Sequence, residues 1–343
     1  MLRKLFCANS RVMDCSSLRS ACLVAWGCAA FSAAFPVHGA SAAADDFPNK
    51  PIRIVVGFTP GSTPDLSTRL ISQKLAESWK QPVVVDNRAG AAGIIAAQIT
   101  AGANPDGYTL LSVSASHASG PATRAKLPYD TLTDFAGISR TLSAPSLLVV
   151  SPSLGVKSVK ELIALAKAKP GQLNFSSAGI GSITHFAAEL FKSMAAIDVT
   201  HIPYKGVAQA MSEIISGQVQ FLISSLPNTL PLVKQGKLVA LGVSSPSRMP
   251  AIPDIPTIAE SGLPGYQWEG WYGLLAPGKT PRPVIARLNK DITRVLTLPE
   301  MTQRWATLGA QAAPTTPEQF DKIVAAQVAL ITKLARAAKI KVD

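Results

Sequence analysis

Short apolar runs punctuate the chain: IRIVVGF (Ile52 to Phe58), PVVVD (Pro82 to Asp86), YTLLSVS (Tyr108 to Ser114), SLLVV (Ser146 to Val150), VQFLIS (Val219 to Ser224) and LVALGVS (Leu238 to Ser244). Their length and β-branched content predict buried strands. Between them Asp65 to Trp79, Val159 to Lys169, Thr184 to Ala195 and Val207 to Ser216 repeat apolar residues at helical spacing. This alternation predicts an α/β architecture with largely parallel sheets. Ser158-Val-Lys-Glu161 and Thr315-Thr-Pro-Glu318 have the form of capping boxes, the second opening a long C-terminal helix to about Ala338 with Pro317 in its first turn. Pro246, Pro250, Pro253, Pro256 and Pro264 mark a loop with room for only a short helix around Thr257 to Ser261. LLVV before SPSLG and WYGLLAP before GKTPRP are apolar segments suited to carrying the chain between two lobes, and two crossings would frame a cleft.

The first 44 residues stand apart. Arg3, Lys4, Arg11 and Arg19 precede a mostly apolar stretch from Ala21 to Phe35, and small residues follow through Ala44. This is the pattern of an export signal, with cleavage expected after Ala42 or Ala44. Ala25-Trp26-Gly27 is a poor lipobox, so a lipid anchor on Cys28 is not expected. All four cysteines, Cys7, Cys15, Cys22 and Cys28, lie in this leader, which leaves no thiol for disulfides, nucleophilic catalysis or metal ligation in the exported chain.

Removing the leader's four basic residues and Asp14 from the 33 Lys+Arg and 21 Asp+Glu leaves 29 against 20, a net charge of +9. An exported, basic, cysteine-free protein fits a bacterial periplasm. The basic residues are scattered and not interleaved with aromatics, which argues against nucleic acid. No apolar run reaches the ~18 residues of a membrane helix. Charged residues are 16% and apolar residues 47%, enough for a sizeable core.

Two loops carry the candidate chemistry. GFTPGSTPD (Gly57 to Asp65) leaves the first strand and feeds a helix, and SSAGIGSITHF (Ser176 to Phe186) does the same after LNF. Free N–H groups and a helix dipole at such a turn attract an anion without a lysine. Two such turns facing across a cleft would clamp a carboxylate. The plainer alternatives are a turn capped by Asp65 and a Ser182 that only caps its helix. GLLAPGKT (Gly273 to Thr280) matches the phosphate-loop expression, but Pro277 lacks an N–H where phosphate would sit, and Lys279 is expected in a solvated loop. His117, His185 and His201 have no metal-binding spacing, so neither a metal nor a cofactor is expected. Trp268, Trp271 and Tyr272 are candidates for core packing or for a pocket wall.

PNKPIRIVVGFTPGSTPDLSTRLISQKL, QPVVVDNRAGAAGIIAA, ANPDGYTLL, ITHFAAELF, IPYKG, ISGQVQFLIS, GKLVALGVSSPSR, IPTIAESGLPGYQWEGWYGLLAPGKTP and the late LGA together resemble the substrate-binding proteins of tripartite tricarboxylate transporters, the TctC or Bug family. The match runs in order from about Phe47 to the C-terminus. The resemblance implies a type II-like periplasmic binding protein whose two lobes close on a small organic carboxylate and present it to integral-membrane permease subunits. It implies one lobe of residues 45–145 plus 270–343, a second of 146–269, and a single chain as the working unit. It also implies ligand contacts from Phe58, Pro60, Gly61, Ser62, Thr63 and Asp65, then from Ser177, Ala178, Gly179, Ser182, Thr184 and His185, with Tyr204 and Lys205 as secondary candidates. Three departures stand out. The family's PGG is Pro60-Gly61-Ser62 here, its NRPGAGG is Asn87-Arg-Ala-Gly-Ala-Ala-Gly93, and Ser224-Ser225 occupies the place of a frequent Asp. Without that acid the resemblance points to a carboxylate lacking an amine. An extracytoplasmic sensor is the alternative binding role. A hydrolase using Ser182 and His185 is disfavoured, because no orienting acid completes a triad.

Overall fold

The computed structural model describes residues 47–337 and Ile340. The expected leader, with Cys28 and both cleavage positions, lies outside the described residues. Strands β1 (Ile52–Val56), β2 (Val83–Asn87) and β3 (Thr109–Ser114) are linked by helices α1 (Thr63–Trp79) and α2 (Ile94–Ala101). A single turn, α3 (Gly120–Thr123), leads to the long strand β4 (Phe135–Val150). Next come α4 (Val159–Ala168), β5 (Asn174–Ser177), α5 (Ile183–Ala195), β6 (Thr200–Pro203), α6 (Val207–Ile215), β7 (Phe221–Ser225), α7 (Leu226–Lys234) and β8 (Val239–Val243). The chain finishes with β9 (Glu269–Pro277), α8 (Arg282–Leu296), α9 (Pro299–Thr307), β10 (Gln311–Ala312) and α10 (Pro317–Ala337).

The α/β alternation is present, but the sheet is mixed. Its order is β2-β1-β3-β9-β4-β7-β5-β6, with β8 and β10 also on β4. β1 runs parallel to β2 and β3, and β5 runs parallel to β6 and β7. Between these groups β9 and β4 are antiparallel to their neighbours, which corrects the expected largely parallel sheet. An apolar run reports burial on both faces and carries no record of strand direction.

Strand β4 joins the two parallel groups. Phe135 to Pro145 pairs with β9, whereas Ser146 to Val150 pairs with β7 and β8. Only its last five residues, SLLVV, stand out as an apolar run, because Ser139, Arg140, Thr141 and Ser143 interrupt the earlier part. Ser143 bonds Glu269, and Ser139 and Arg140 are satisfied by the segment before α10. The Ser139 hydroxyl donates to Thr315 O, and Arg140 Nε donates to Ala313 O.

Helix ends follow local chemistry, with one shift. Ser158 accepts the Glu161 N–H at 3.2 Å, as expected. The second capping box is displaced by one residue: Thr316 accepts from Gln319 N while Gln319 Oε1 accepts from Thr316 N. Thr315 is drawn away to accept the Arg140 N–H at 3.0 Å. Thr257 to Ser261 forms turns and a bridge to Val243 in place of a short helix. Helix α7 carries Pro227 in its first turn and Pro231 inside, which hides it from any helix pattern.

Alternate residues of the buried strands feed different cores. Leu148 and Val150 of β4 pack with Phe175, Phe186 and Phe221, while Leu147 and Val149 pack with Met211, Leu222 and Leu230. Ile52 and Ile54 of β1 pack with Leu75 and Leu288, and Val55 packs with Leu111 and Trp271. Helix α10 bridges two of these clusters. Phe320 and Val324 join the one around Trp271, whereas Ile331 and Ala335 join the one around Phe175.

Candidate functional site

Helices α1, α5, α6 and α7 follow the carboxyl ends of β1, β5, β6 and β7, and residues at all four helix starts border one cavity. The space is narrow and partly open to solvent. Ser62 and Pro64 border it from α1, Ser182, Ile183 and Thr184 from α5, Val207 from α6, and Ser225 and Asn228 from α7. Phe58, Ser114, Ser146, Ala178, Ser224 and Tyr272 complete the wall. Among the described residues no side chain in this wall is charged. The positive ends of four helix dipoles therefore meet on a site with no cation and no competing carboxylate.

The first loop is held from behind. Asp65 is 2% exposed and accepts hydrogen bonds from Gly61 N at 2.9 Å, Asn87 Nδ2 at 2.8 Å and Arg69 Nε at 3.0 Å. Burial raises the Asp65 carboxyl, but the bonds from Arg69, Gly61 and Asn87 outweigh it and hold its pKa below the ordinary value. Its charge is spent inside the loop. Ser62, at the N-cap of α1, makes no capping bond, and its buried hydroxyl has no partner. The buried Ser224 hydroxyl is equally unpartnered. Thr63 reaches another element, bonding Ser225 Oγ at 2.7 Å and donating to Asn228 Oδ1 at 2.8 Å. Burial raises the Tyr272 phenol against the hydrogen bonds it makes with the Ser225 and Thr63 hydroxyls.

The second loop is braced similarly. Gly179 has φ +115°, and a Cβ there would stand 3.2 Å from Tyr204 O. Ser182 caps α5 by accepting the His185 N–H at 3.2 Å, and its hydroxyl lies 2.9 Å from Thr184 Oγ1. Thr184 Oγ1 accepts the Ala178 N–H at 2.9 Å. Ile183 N donates to Ser116 Oγ at 2.8 Å.

Of the residues expected at the site, Phe58, Ser62, Ala178, Ser182 and Thr184 border the cavity. Thr63 joins it through Ser225 and Asn228. Pro60 and Gly61 are exposed and Gly179 is half-buried, none of them on this wall; Asp65 bonds within its own loop, and Ser177 and His185 are buried against His201 and Gly181. Tyr204 is partly buried and Lys205 exposed, both off the wall. The His185 ring makes no bond to the Ser182 hydroxyl; its Nδ1 accepts the Gly181 N–H at 3.2 Å. Ser114, Ser146, Ser225 and Asn228 were not anticipated as wall residues. Ser114 and Ser225 end strands, a position from which a hydroxyl reaches the cleft of an α/β sheet, whereas Asn228 has no local signal. Lys279 is exposed beyond β9, as expected of a loop lysine. Among the described residues no cluster of His, Cys, Asp and Glu is arranged to hold a metal, and no helix is long and apolar enough to cross a membrane.

Comparison with known proteins settles the lineage. Residues 67–339 match the Tripartite tricarboxylate transporter family receptor, TctC. The chain belongs to this family. Among solved structures, Rpa4515 of R. palustris with adipate is 34% identical with a TM-score of 0.84, over 87% of this chain and 100% of that one. MatC of Rhodopseudomonas palustris with bound malate is 30% identical with a TM-score of 0.80, over 84% and 99%. The periplasmic binding protein BugD is 30% identical with a TM-score of 0.82, over 86% and 100%. This TctC-family chain thus shares the fold of periplasmic solute-binding proteins.

Proposed function

We propose that the protein captures a small carboxylate-bearing organic acid in the serine-lined cavity and delivers it, unaltered, to a membrane permease from the periplasm. The observation that carries this reading is the meeting of four helix N-termini on a wall without charged side chains. A carboxylate in that space gains charge-assisted hydrogen bonds from amides and hydroxyls. A cationic ligand would find only the wrong ends of the dipoles. The unpartnered Ser62 and Ser224 hydroxyls are donors that a bound acid would satisfy. Adipate and malate in two relatives support the same ligand class.

Capture and release need the cavity to open. In this reading residues 45–145 with 270–343 form one lobe and 146–269 the other. The hinge falls where β4 exchanges β9 for β7 and β8, between Pro145 and Ser146, and at the start of β9 near Glu269. The Thr63 bonds to Ser225 and Asn228 and the Ile183 bond to Ser116 then cross between lobes and break on opening.

A thermal-shift panel of mono-, di- and tricarboxylates, including adipate and malate, with their amide analogues, tests the reading. An acid at 100 times its Kd should stabilise the protein by about 2.7 kcal/mol. Its neutral amide should give no shift. Equal shifts from acid and amide, or chemical turnover of a bound acid, would overturn the proposal.

A further inference from the structure

Behind the second loop lie two imidazoles that the cavity does not use. The His185 and His201 rings stack with centroids 3.9 Å apart and planes within 13°. Phe175 stacks on His201 at 4.8 Å, so the pair rests on the aromatic core. The ring edges face the loop. His201 Nε2 lies 2.6 Å from Ser177 Oγ, at the loop's start, and His185 Nδ1 accepts the Gly181 N–H at 3.2 Å, near its end. An accepting Nδ1 places the single proton of a neutral His185 on Nε2, which faces Glu189 Oε1 at 3.8 Å. Lys192 lies 3.9 Å from Glu189 and is the other charged group near the pair among the described residues.

We propose that His185 and His201 are positioning residues for ligand capture: a stacked plate that fixes both ends of the Ser177-to-Gly181 segment and so aims Ala178, Ser182 and Thr184 into the cavity. The assignment rests on the carboxylate reading above. Gly179 and Gly181 both have positive φ, and a loop so rich in glycine loses much conformational freedom when it orders on a ligand. Holding its ends in advance lowers that cost and strengthens binding without any contact between imidazole and ligand. The requirement is for rings that stay neutral, so that His185 Nδ1 keeps accepting the Gly181 N–H. Burial above all, reinforced for His185 by His201 and then Lys192, pulls the His185 pKa down to about 3, and burial with Lys192 pulls His201 to about 4. Both rings remain uncharged at neutral pH.

The test compares His185→Leu, which removes the acceptor, with His185→Asn, whose Oδ1 takes the place of Nδ1. Adipate affinity is measured by calorimetry and the Gly181 amide by hydrogen exchange. The leucine variant should bind adipate about tenfold more weakly and exchange Gly181 about tenfold faster, the loss of one net hydrogen bond. The asparagine variant should stay within about threefold of wild type in both. Wild-type ¹⁵N spectra should show His185 with Nδ1 bare and Nε2 protonated. A leucine variant with unchanged affinity and exchange, an asparagine variant as impaired as leucine, or a protonated Nδ1 in the wild type would each overturn the proposal. Should wild type bind no carboxylate at all, the functional reading fails separately, while Gly181 exchange and the tautomer still decide the loop's anchoring.

Discussion

Placing a carboxylate in the cavity wall should repel the ligand that the helix N-termini attract. Ser224→Asp is the perturbation: Ser224 is buried, its hydroxyl has no partner, and no side chain in the wall is cationic. A ligand carboxylate in the same narrow cleft would lie roughly 5 to 9 Å from the new one. With an effective dielectric constant of about 20, their repulsion is about 2 to 3 kcal/mol. Affinity should fall by about 20- to 150-fold. Ser224→Asn, close in size and uncharged, is the reference that removes steric effects. Titration calorimetry with adipate and malate reads the difference, after circular dichroism has established that both variants fold. The enclosed pair is weakly screened, so the gap should persist when salt is raised. Aspartate and asparagine variants that bind within threefold of each other would show that the acid's charge does not reside here.

Two further predictions concern stability. The His117, His185 and His201 pKa values are lowered, chiefly by burial, to about 4, about 3 and about 4. As pH falls below about 6.5 the unfolded chain takes up protons that these folded histidines refuse, so their contribution is complete above that pH and is lost towards pH 4. The upper figure is about 2.7 kcal/mol per histidine between pH 6.5 and 4.5, and urea denaturation across that window with a flat profile would contradict it. Ala196 ends α5 in the left-handed conformation at φ 50° and is exposed. Ala196→Gly should therefore stabilise the protein by about 1 kcal/mol, read as a rise in Tm, and an unchanged or lower Tm would refute the strain argument.

The legible parts of the fold were those written locally. Helix α4 begins after Ser158 because its hydroxyl accepts the third amide onward, a contact set by three residues of spacing. The displaced cap of α10 shows the limit. Thr315 and Thr316 are equivalent as local signals, and the choice fell to Thr316 because Arg140, 175 residues away, donates its N–H to Thr315. Helix α7 escaped detection because Pro227 and Pro231 oppose helix formation in an isolated segment. The candidate site divides in the same way. Glycine, proline and hydroxyl residues after a strand pointed to both loops. Asp65 and His185 were expected at the ligand because the family resemblance implies contacts there, yet their polar atoms are engaged within and behind those loops.

Taken alone, the sequence determined the α/β alternation, the two anion-suited turns and the family. Periodicity and turn chemistry record how each segment meets water and its immediate neighbours, and collinear motifs record descent. Tertiary structure alone decided the direction of β4 and β9, the addition of α6 and α7 to the cavity, and which hydroxyls face it. Ser114 and Ser146 are indistinguishable from other serines along the chain. Their shared wall exists because distant strand ends and helix starts pack side by side, and proximity of that kind is a property of the folded chain.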